Sequence, residues 1–358
     1  MKRHRPTNAH PTAPKGNWIG VKSVIKLPAD QYLHPGAPTE WWWHTGTLKA
    51  GNRIFGFEIN AASFIGQTPP FAFSQVMLTD VANKIHYQQT ALQTIDNKWA
   101  ESDPKKAWYV TMGNANVAPT ATTGWITMNA PQSDPTKNMR VKAALFDTAS
   151  GKIVTFDLKL SQKGPPFMVW GTGVNPNDPN PTLQTNNFYY SLTRLHARGA
   201  VTIDGKSIPV TGLTWMDHEY GLFGSSAKPV LWFLQDMQLD NGVHISHGVT
   251  FPKDPPKLKV RVPSYATIQF PDGTTYYDPN CFLTPIGKTW TNPTTKVLFF
   301  LEFKIEIPSC NATFHISTPV PGQDFPFGPI DTYEGVAAAK GRFNGAKVQG
   351  TAWNEQQP

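Results

Sequence analysis

Residues Thr214 to Gly221 read TWMDHEYG, and three consecutive positions among them, Asp217, His218 and Glu219, carry titratable side chains. Rings flank the triplet on both sides, Trp215 before it and Tyr220 after it. Only 16% of the chain is charged, so such a grouping in apolar company is not a solvated surface patch. Burial disfavours the charged form of a carboxyl and raises its pKa. A carboxyl that stays neutral can protonate an alkene carbon or donate to a carbonyl, and ring faces stabilise the carbocation that alkene protonation creates. On a strand, Asp217 and Glu219 share one face while His218 points the other way, and two acids on one face push one pKa higher still. These three are the candidate catalytic residues. The structural alternative is that Asp217 caps the following turn or pairs with Arg194 or Arg198 on a neighbouring strand.

A second group, TEWWWHTG, supplies Glu40, Trp41, Trp42, Trp43 and His44. In a strand, Trp41 and Trp43 face one side and Glu40, Trp42 and His44 the other, so one set lines an interior and the other a surface or a domain contact. At least two of the three Trp are packing residues on this reading. Glu40 and His44 either support the acid or form a fixed hydrogen-bonded pair. Other chemistries find little support. His244 and His247 are three apart and face opposite sides of a strand, and there is neither HExxH nor a paired-Cys motif, so no metal is expected. No GxSxG marks a hydrolase nucleophile, and Ser225-x-x-Lys228 lies in a Gly/Ser/Pro stretch rather than on a helix. No Gly-rich phosphate or dinucleotide loop precedes a helix, so no cofactor is expected either.

The elements that would position these residues are strands. RIFGFEINA, KIVTFDLKL, YYSLTRLHARGAVTI, HISHGVTF and KVLFFLEFKIEI alternate apolar and polar positions. Hairpin signals separate them at KAGN (49–52), IDGK (203–206), LDNG (239–242), PDGT (271–274) and FNGA (343–346). Nothing has the caps and spacing of a long helix, so the chain reads as all-β. An internal echo divides it. Trp41 stands ten residues before Gly51 and Trp232 ten before Gly242, while GAVTIDGKSIPVTGLTW (199–215) is matched by GRFNGAKVQGTAW (341–353). Tyr190 and Tyr333 lie upstream of the two copies. Two copies of one antiparallel barrel-like β unit account for this, and chance likeness of two Gly-turn hairpins is the alternative. The expected division is a disordered polar leader over 1–17, an N-terminal domain over 18–223 and a C-terminal domain over 224–358. The acidic triplet then falls at the domain border, a favoured place for ligands.

Composition narrows the partners. The 12 Trp exceed what a core needs and fit a chain that holds a large apolar ligand. The formal charge of +7 is spread along the sequence, with clusters only at KRHR (2–5) and KLKVR (257–261), which read as solvated tail and loop, so no nucleic-acid partner is expected. No apolar run reaches a membrane span, so no stable membrane insertion is expected. No apolar stretch follows the basic start, as in a cytoplasmic chain or one whose export signal has been removed. Cys281 and Cys310 allow at most one bridge, and Asn311-Ala312-Thr313 fits a glycosylation acceptor.

Several longer stretches carry a resemblance. PGAPTEWWWHTGTLKAGNRIFGFEI, PPFAFSQVMLTDVANKIHYQQ, YYSLTRLHARGAVTIDGKSIPVTGLTWMDHEYG, VLWFLQDMQLDNGVHI and YEGVAAAKGRFNGAKVQGTAW resemble, in order, segments of the AttH-like, carotenoid-1,2-hydratase-like family over about residues 30–355. The resemblance implies two tandem lipocalin-like β-barrels. It also implies a hydrophobic small molecule as partner, since the family includes carotenoid hydratases, kievitone-type phenolic hydratases and fungal pericyclases that guide Diels–Alder cyclisation. In the hydratase branch the Asp of an aromatic-x-Asp motif is the proton donor, and the matching position here is Asp217 after Trp215-Met216. That branch also uses an aromatic residue and a His upstream, where this chain reads NNFYYSL, with Tyr189 and Tyr190 and no His.

The expected function is therefore cofactor-free, acid-catalysed hydration or isomerisation of an isoprenoid- or polyketide-like molecule. A ligand-binding carrier without catalysis and a pericyclase are the alternatives. The expected pocket is apolar, at the domain border, and holds Trp215, Tyr220, Glu40, Trp41 to Trp43, His44, Tyr190 and Trp232, with Arg194 or Gln235 among its few polar groups.

Overall fold

The computed structural model describes residues 23–94, 98–130, 134–176, 180–223, 230–327 and 330–358. The leader over 1–17 and the domain boundary at 223/224, at the edge of segment 224–229, lie at or outside the limits of the described residues. Twenty strands fall into two sheets that share none. The first sheet holds β1 (Thr39–Ala50), β2 (Arg53–Phe64), β3 (Phe71–Asp80), β4 (Ile85–Gln93), β5 (Tyr109–Met112), β6 (Trp125–Asn129), β7 (Asn138–Asp147), β8 (Lys152–Gln162), β9 (Phe167–Met168), β10 (Asn187–Ile203) and β11 (Lys206–Gly221). The second holds β12 (Leu231–Leu239), β13 (His244–Phe251), β14 (Val262–Gln269), β15 (Thr275–Thr291), β16 (Leu298–Ile307), β17 (Ala312–Ser317), β18 (Asp324–Phe327), β19 (Ile330–Phe343) and β20 (Ala346–Gln357). Helix is limited, among the described residues, to three single 3-10 turns.

Each sheet curls into an antiparallel barrel of eight strands, so the chain is two tandem lipocalin-like β-barrels. In the first the order is β4-β3-β2-β1-β11-β10-β8-β7, with β6 and β5 continuing past β7. Its seam is stitched by side chains: the Gln88 backbone N–H donates to Asp147 Oδ1 at 3.2 Å and that of Phe146 to Gln89 Oε1 at 2.9 Å. The second closes by backbone pairing, because the late half of β19 pairs β17 while its early half pairs β18. Closure removes the exposed edges that open sheets present to other chains.

The five hairpin signals fall at turns between consecutive strands. The two copies of the repeat turn alike, with Asp204-Gly205 and Asn344-Gly345 both at positive φ, the geometry of a primed two-residue turn that matches strand twist. Each barrel has its own apolar interior: Trp42, Phe55, Phe57, Tyr190, Leu192 and Met216 in the first, Phe233, Met237, Ile245, Phe303 and Phe314 in the second. Cys281 and Cys310 lie in the second core as free thiols.

The period-2 pattern fails over much of β1 and β2 and over the last halves of β11 and β12, where nearly every residue is buried. These strands are covered on both faces, by their own barrel's core and by the other barrel. Contact is so close that a Cβ on Gly56 in β2 would meet Val336 Cβ of β19 at 2.4 Å. Side chains tie the barrels together: Gln238 Nε2 donates to the carbonyls of Thr193 and Thr214 at 2.7 and 3.0 Å, and Thr79 Oγ1 donates to Gln323 Oε1 at 2.7 Å.

Candidate active site

Three adjacent strands present the titratable residues in rows. In the pairing of β1 with β11, Trp41 stands opposite Glu219, Trp42 opposite His218 and Trp43 opposite Asp217. On the other side of β11, Tyr189, Tyr190 and Ser191 of β10 stand opposite the same three residues in the same order. Because successive residues alternate faces, Trp42, His218 and Tyr190 point into the first barrel. Asp217, Glu219 and their neighbours point toward the second. The triplet thus serves two sites on opposite faces of one sheet.

On the inner face His218 bridges two groups, its Nδ1 3.1 Å from the Tyr190 hydroxyl and its Nε2 3.0 Å from Glu40 Oε1. Its ring stacks on Trp42 with centroids 4.4 Å apart. Glu40 also accepts from the His34 backbone N–H at 2.9 Å, and His34 Nδ1 lies 2.9 Å from Glu40 Oε1. Burial works against a charge on His34, yet its bonds to Asp30 and Glu40 carry its pKa up to about 9. Burial likewise opposes ionisation of Glu40, and the bonds from His218 and His34 overcome it and hold its pKa below the usual value. His218 itself stays neutral more readily than a free imidazole, because burial outweighs its bond to Glu40. His34, Glu40 and His218 hold ligand-type atoms within 4.8 Å of one another. His34 Nδ1 and His218 Nε2 both contact Glu40 Oε1, so the trio forms an ion-paired clamp on the segment 30–34. Tyr220 stacks on His34 at 3.6 Å, and Trp42 donates to the Gln31 carbonyl at 3.2 Å.

The outer face is different in kind. Asp217 Oδ1 accepts from Trp215 Nε1 at 2.7 Å and from Ser191 Oγ at 2.5 Å, and Glu219 accepts from the Asn187 amide. From the second barrel come Asp236, Glu334 and Glu355, and from β2 comes Glu58. Two of these repeat the indole–acid pairing: Trp232 Nε1 donates to Glu355 Oε1 at 2.5 Å, and Trp353 donates to Glu334. Among the described residues none of these six carboxyls is within ion-pair distance of a Lys or Arg. Burial therefore goes uncompensated. It lifts Asp217 to about 6, against the bonds from Ser191, Trp215 and Tyr189, and Glu355, which is partly exposed, to about 8, against the bond from Trp232. Glu58, Glu219, Asp236 and Glu334 rise well above their ordinary values, driven by burial and then by nearby acids, Glu355 and Asp217 chief among them. A small cavity opens beside this layer, lined by Thr45, Trp215, Asp236, Gln238, Thr351 and Trp353.

The single pocket expected from the sequence is divided here. Trp41, Trp43, Trp215 and Trp232 belong to the inter-barrel side with the acids, whereas Glu40, Trp42, Tyr190, Tyr220 and His44 face the first barrel's interior. Alternation along a strand makes any other outcome impossible for consecutive residues. His44 is buried with neither ring nitrogen partnered among the described residues, and burial lowers its pKa to about 3. Gln235 lies inside the second barrel, its Oε1 3.0 Å from His247 Nδ1. Arg194 reaches across to the second barrel and donates to the Gly242 carbonyl at 2.8 Å, with no ion pair to Asp217. The acids of the second barrel, Glu58, Ser191 and His34 were missed. A signal was there for two of them, since Asp236 and Glu58 each stand as the one acid of a largely apolar strand.

Fold and site together define a tandem-barrel protein with a layer of uncompensated buried acids between its two halves. The AttH-like family matches residues 20–355, and the chain belongs to that family. An AttH protein from Nitrosomonas europaea has the same fold at 17% identity, with a TM-score of 0.68 over 94% of this chain and 97% of its own. Kievitone hydratase from Nectria haematococca is equally similar, with a TM-score of 0.68 at 16% identity over 97% of this chain and 96% of its own. No curated protein matches the chain.

Proposed function

We propose that the protein is an enzyme that protonates a hydrophobic isoprenoid- or polyketide-like substrate at the inter-barrel layer, hydrating, isomerising or cyclising it through its own side chains. The observation that carries this reading is Asp217, a buried carboxyl among indoles with no counter-cation, its pKa lifted to about 6. At pH 7 such a group is protonated about one-tenth of the time, against about one-thousandth for an ordinary Asp. That poise suits a general acid, which must hold a proton yet release it readily. A hydratase is among the proteins built on the same fold.

In a hydration, the Asp217 carboxyl proton would pass to one alkene carbon, whose π electrons form the new C–H bond. The indole faces of Trp215 and Trp43 would then stabilise the positive charge left on the neighbouring carbon. Water adds its oxygen to that carbon and loses a proton to the Asp217 carboxylate, which restores the acid. Ser191 and Trp215 both donate to Oδ1 and so orient the carboxyl. The test is turnover of a panel of prenylated phenols, carotenoids and linear polyenes by the full chain and by Asp217→Asn. Turnover by the parent and its loss in the variant supports the assignment. Tight binding with no turnover of any of them would replace it with a carrier function.

A further inference from the structure

Between β13 and β14 the chain reads PKDPPKLKVR over residues 252–261. The sequence alone suggests a solvated charged loop, and the structure adds what that reading lacks. Leu258 is 42% exposed and Val260 47% exposed, and they alternate with Lys257, Lys259 and Arg261, all of them exposed. The loop is not loose. The Val260 N–H donates to the Lys257 carbonyl at 3.0 Å, closing a tight turn with Leu258 and Lys259 at its tip, and Lys259 has a φ of +64°. The Lys259 N–H anchors the turn to the Pro285 carbonyl at 2.8 Å, and three prolines, 252, 255 and 256, stiffen the approach. Arg261 folds back over the Phe282 ring, 3.2 Å from its centroid, and pairs with Glu306. Among the described residues Lys253, Lys257 and Lys259 have no carboxylate within ion-pair distance.

From this juxtaposition, two exposed aliphatic side chains on an anchored turn in a segment with three unpaired lysines, we infer that the 252–261 loop docks the protein on an anionic lipid surface. An aliphatic tip gains by leaving water for the acyl boundary, while lysines gain from anionic headgroups. A nucleic acid would use the lysines but leave Leu258 and Val260 in water, so the lipid surface accounts for more of the loop. The inference is independent of the acid layer, because the loop binds lipid whether or not Asp217 carries chemistry. If both hold, docking places the enzyme where a hydrophobic substrate is dissolved.

The test is co-sedimentation of the full chain with phosphatidylcholine vesicles with and without phosphatidylglycerol, beside the Leu258→Asp and Lys257→Ala/Lys259→Ala variants. A lysine near an anionic surface contributes about fivefold in binding, so the double variant should bind about 25-fold more weakly. Leu258→Asp should abolish binding at unchanged Tm, and salt should weaken what remains. Both native cysteines are buried, so a dye on Leu258→Cys labels the tip selectively, and its emission should shift to the blue on anionic vesicles. No vesicle binding, or variants that bind like the parent, would overturn the inference. So would binding to heparin and vesicles alike with no shift of the dye, which would mark a general polyanion site.

Discussion

Asp217 and His218 are consecutive residues with opposite fates, because one faces a layer without cations and the other a glutamate already held by His34. On the proposed mechanism the catalytic proton is therefore the one on the outer face. Removing it while keeping the shape, as Asp217→Asn does, should slow turnover by about 10²–10⁴ with ordinary folding and substrate binding. Full activity in that variant would exclude Asp217 as the acid. The bond from Trp215 favours the ionised form of Asp217, so its loss should raise the pKa further. For the parent, kcat/KM should fall as pH rises through about 6. In Trp215→Phe that limb should move to higher pH. A limb that stays in place or moves down would show that the titrating group is another one.

At the scale of the strand, the barrels meet through β1, β2, β10 and β11 on one side and β12, β19 and β20 on the other, and the spacing is fixed by what fits between them. Gly56 leaves no room for a Cβ against Val336. Gly56→Ala forces the two sheets apart or bends one of them, and overpacking of this kind costs about 1–3 kcal/mol. The expected result is a lower denaturant midpoint with unchanged strand content by circular dichroism. An unchanged midpoint would mean that the barrels part here without cost.

Across the whole molecule, the buried acids and His34 couple stability to pH in one direction above pH 6.5. The folded protein keeps protons that the unfolded chain has released: on Glu355 between 4.5 and about 8, and on His34 between 6.5 and about 9. Wherever the folded state binds more protons, stability falls as pH rises, by about 1.4 kcal/mol per pH unit for each full proton of difference. Neutral buried His44 and His247, with pKa values near 3, act the other way, and only below 6.5. Thermal unfolding should therefore show Tm falling steadily from pH 6.5 to 8.5. Glu355→Gln should flatten that decline. A Tm that holds level or rises across this range would mean that the acids are paired or solvated in solution.

Strand content, turn positions and the division into two like halves were legible in the sequence, because each depends on neighbours along the chain. Alternation marks a strand, Asp204-Gly205 and Asn344-Gly345 mark the turns, and the echo ending at Trp215 and Trp353 marks the repeat. Alternation also determines that Asp217 and His218 face apart. What it does not reveal is which face is covered and by what. Trp42 and Trp43 look alike in sequence, yet one stacks on His218 inside a barrel and the other lies among acids between barrels. The acid layer takes Glu58, Asp217 and Glu219 from one half and Asp236, Glu334 and Glu355 from the other, up to about 300 residues apart. Their raised pKa values come first from burial away from water and cations and, for all but Asp217, then from the nearby acids. Both are properties of the packed interface, which forms only when the two finished barrels come together.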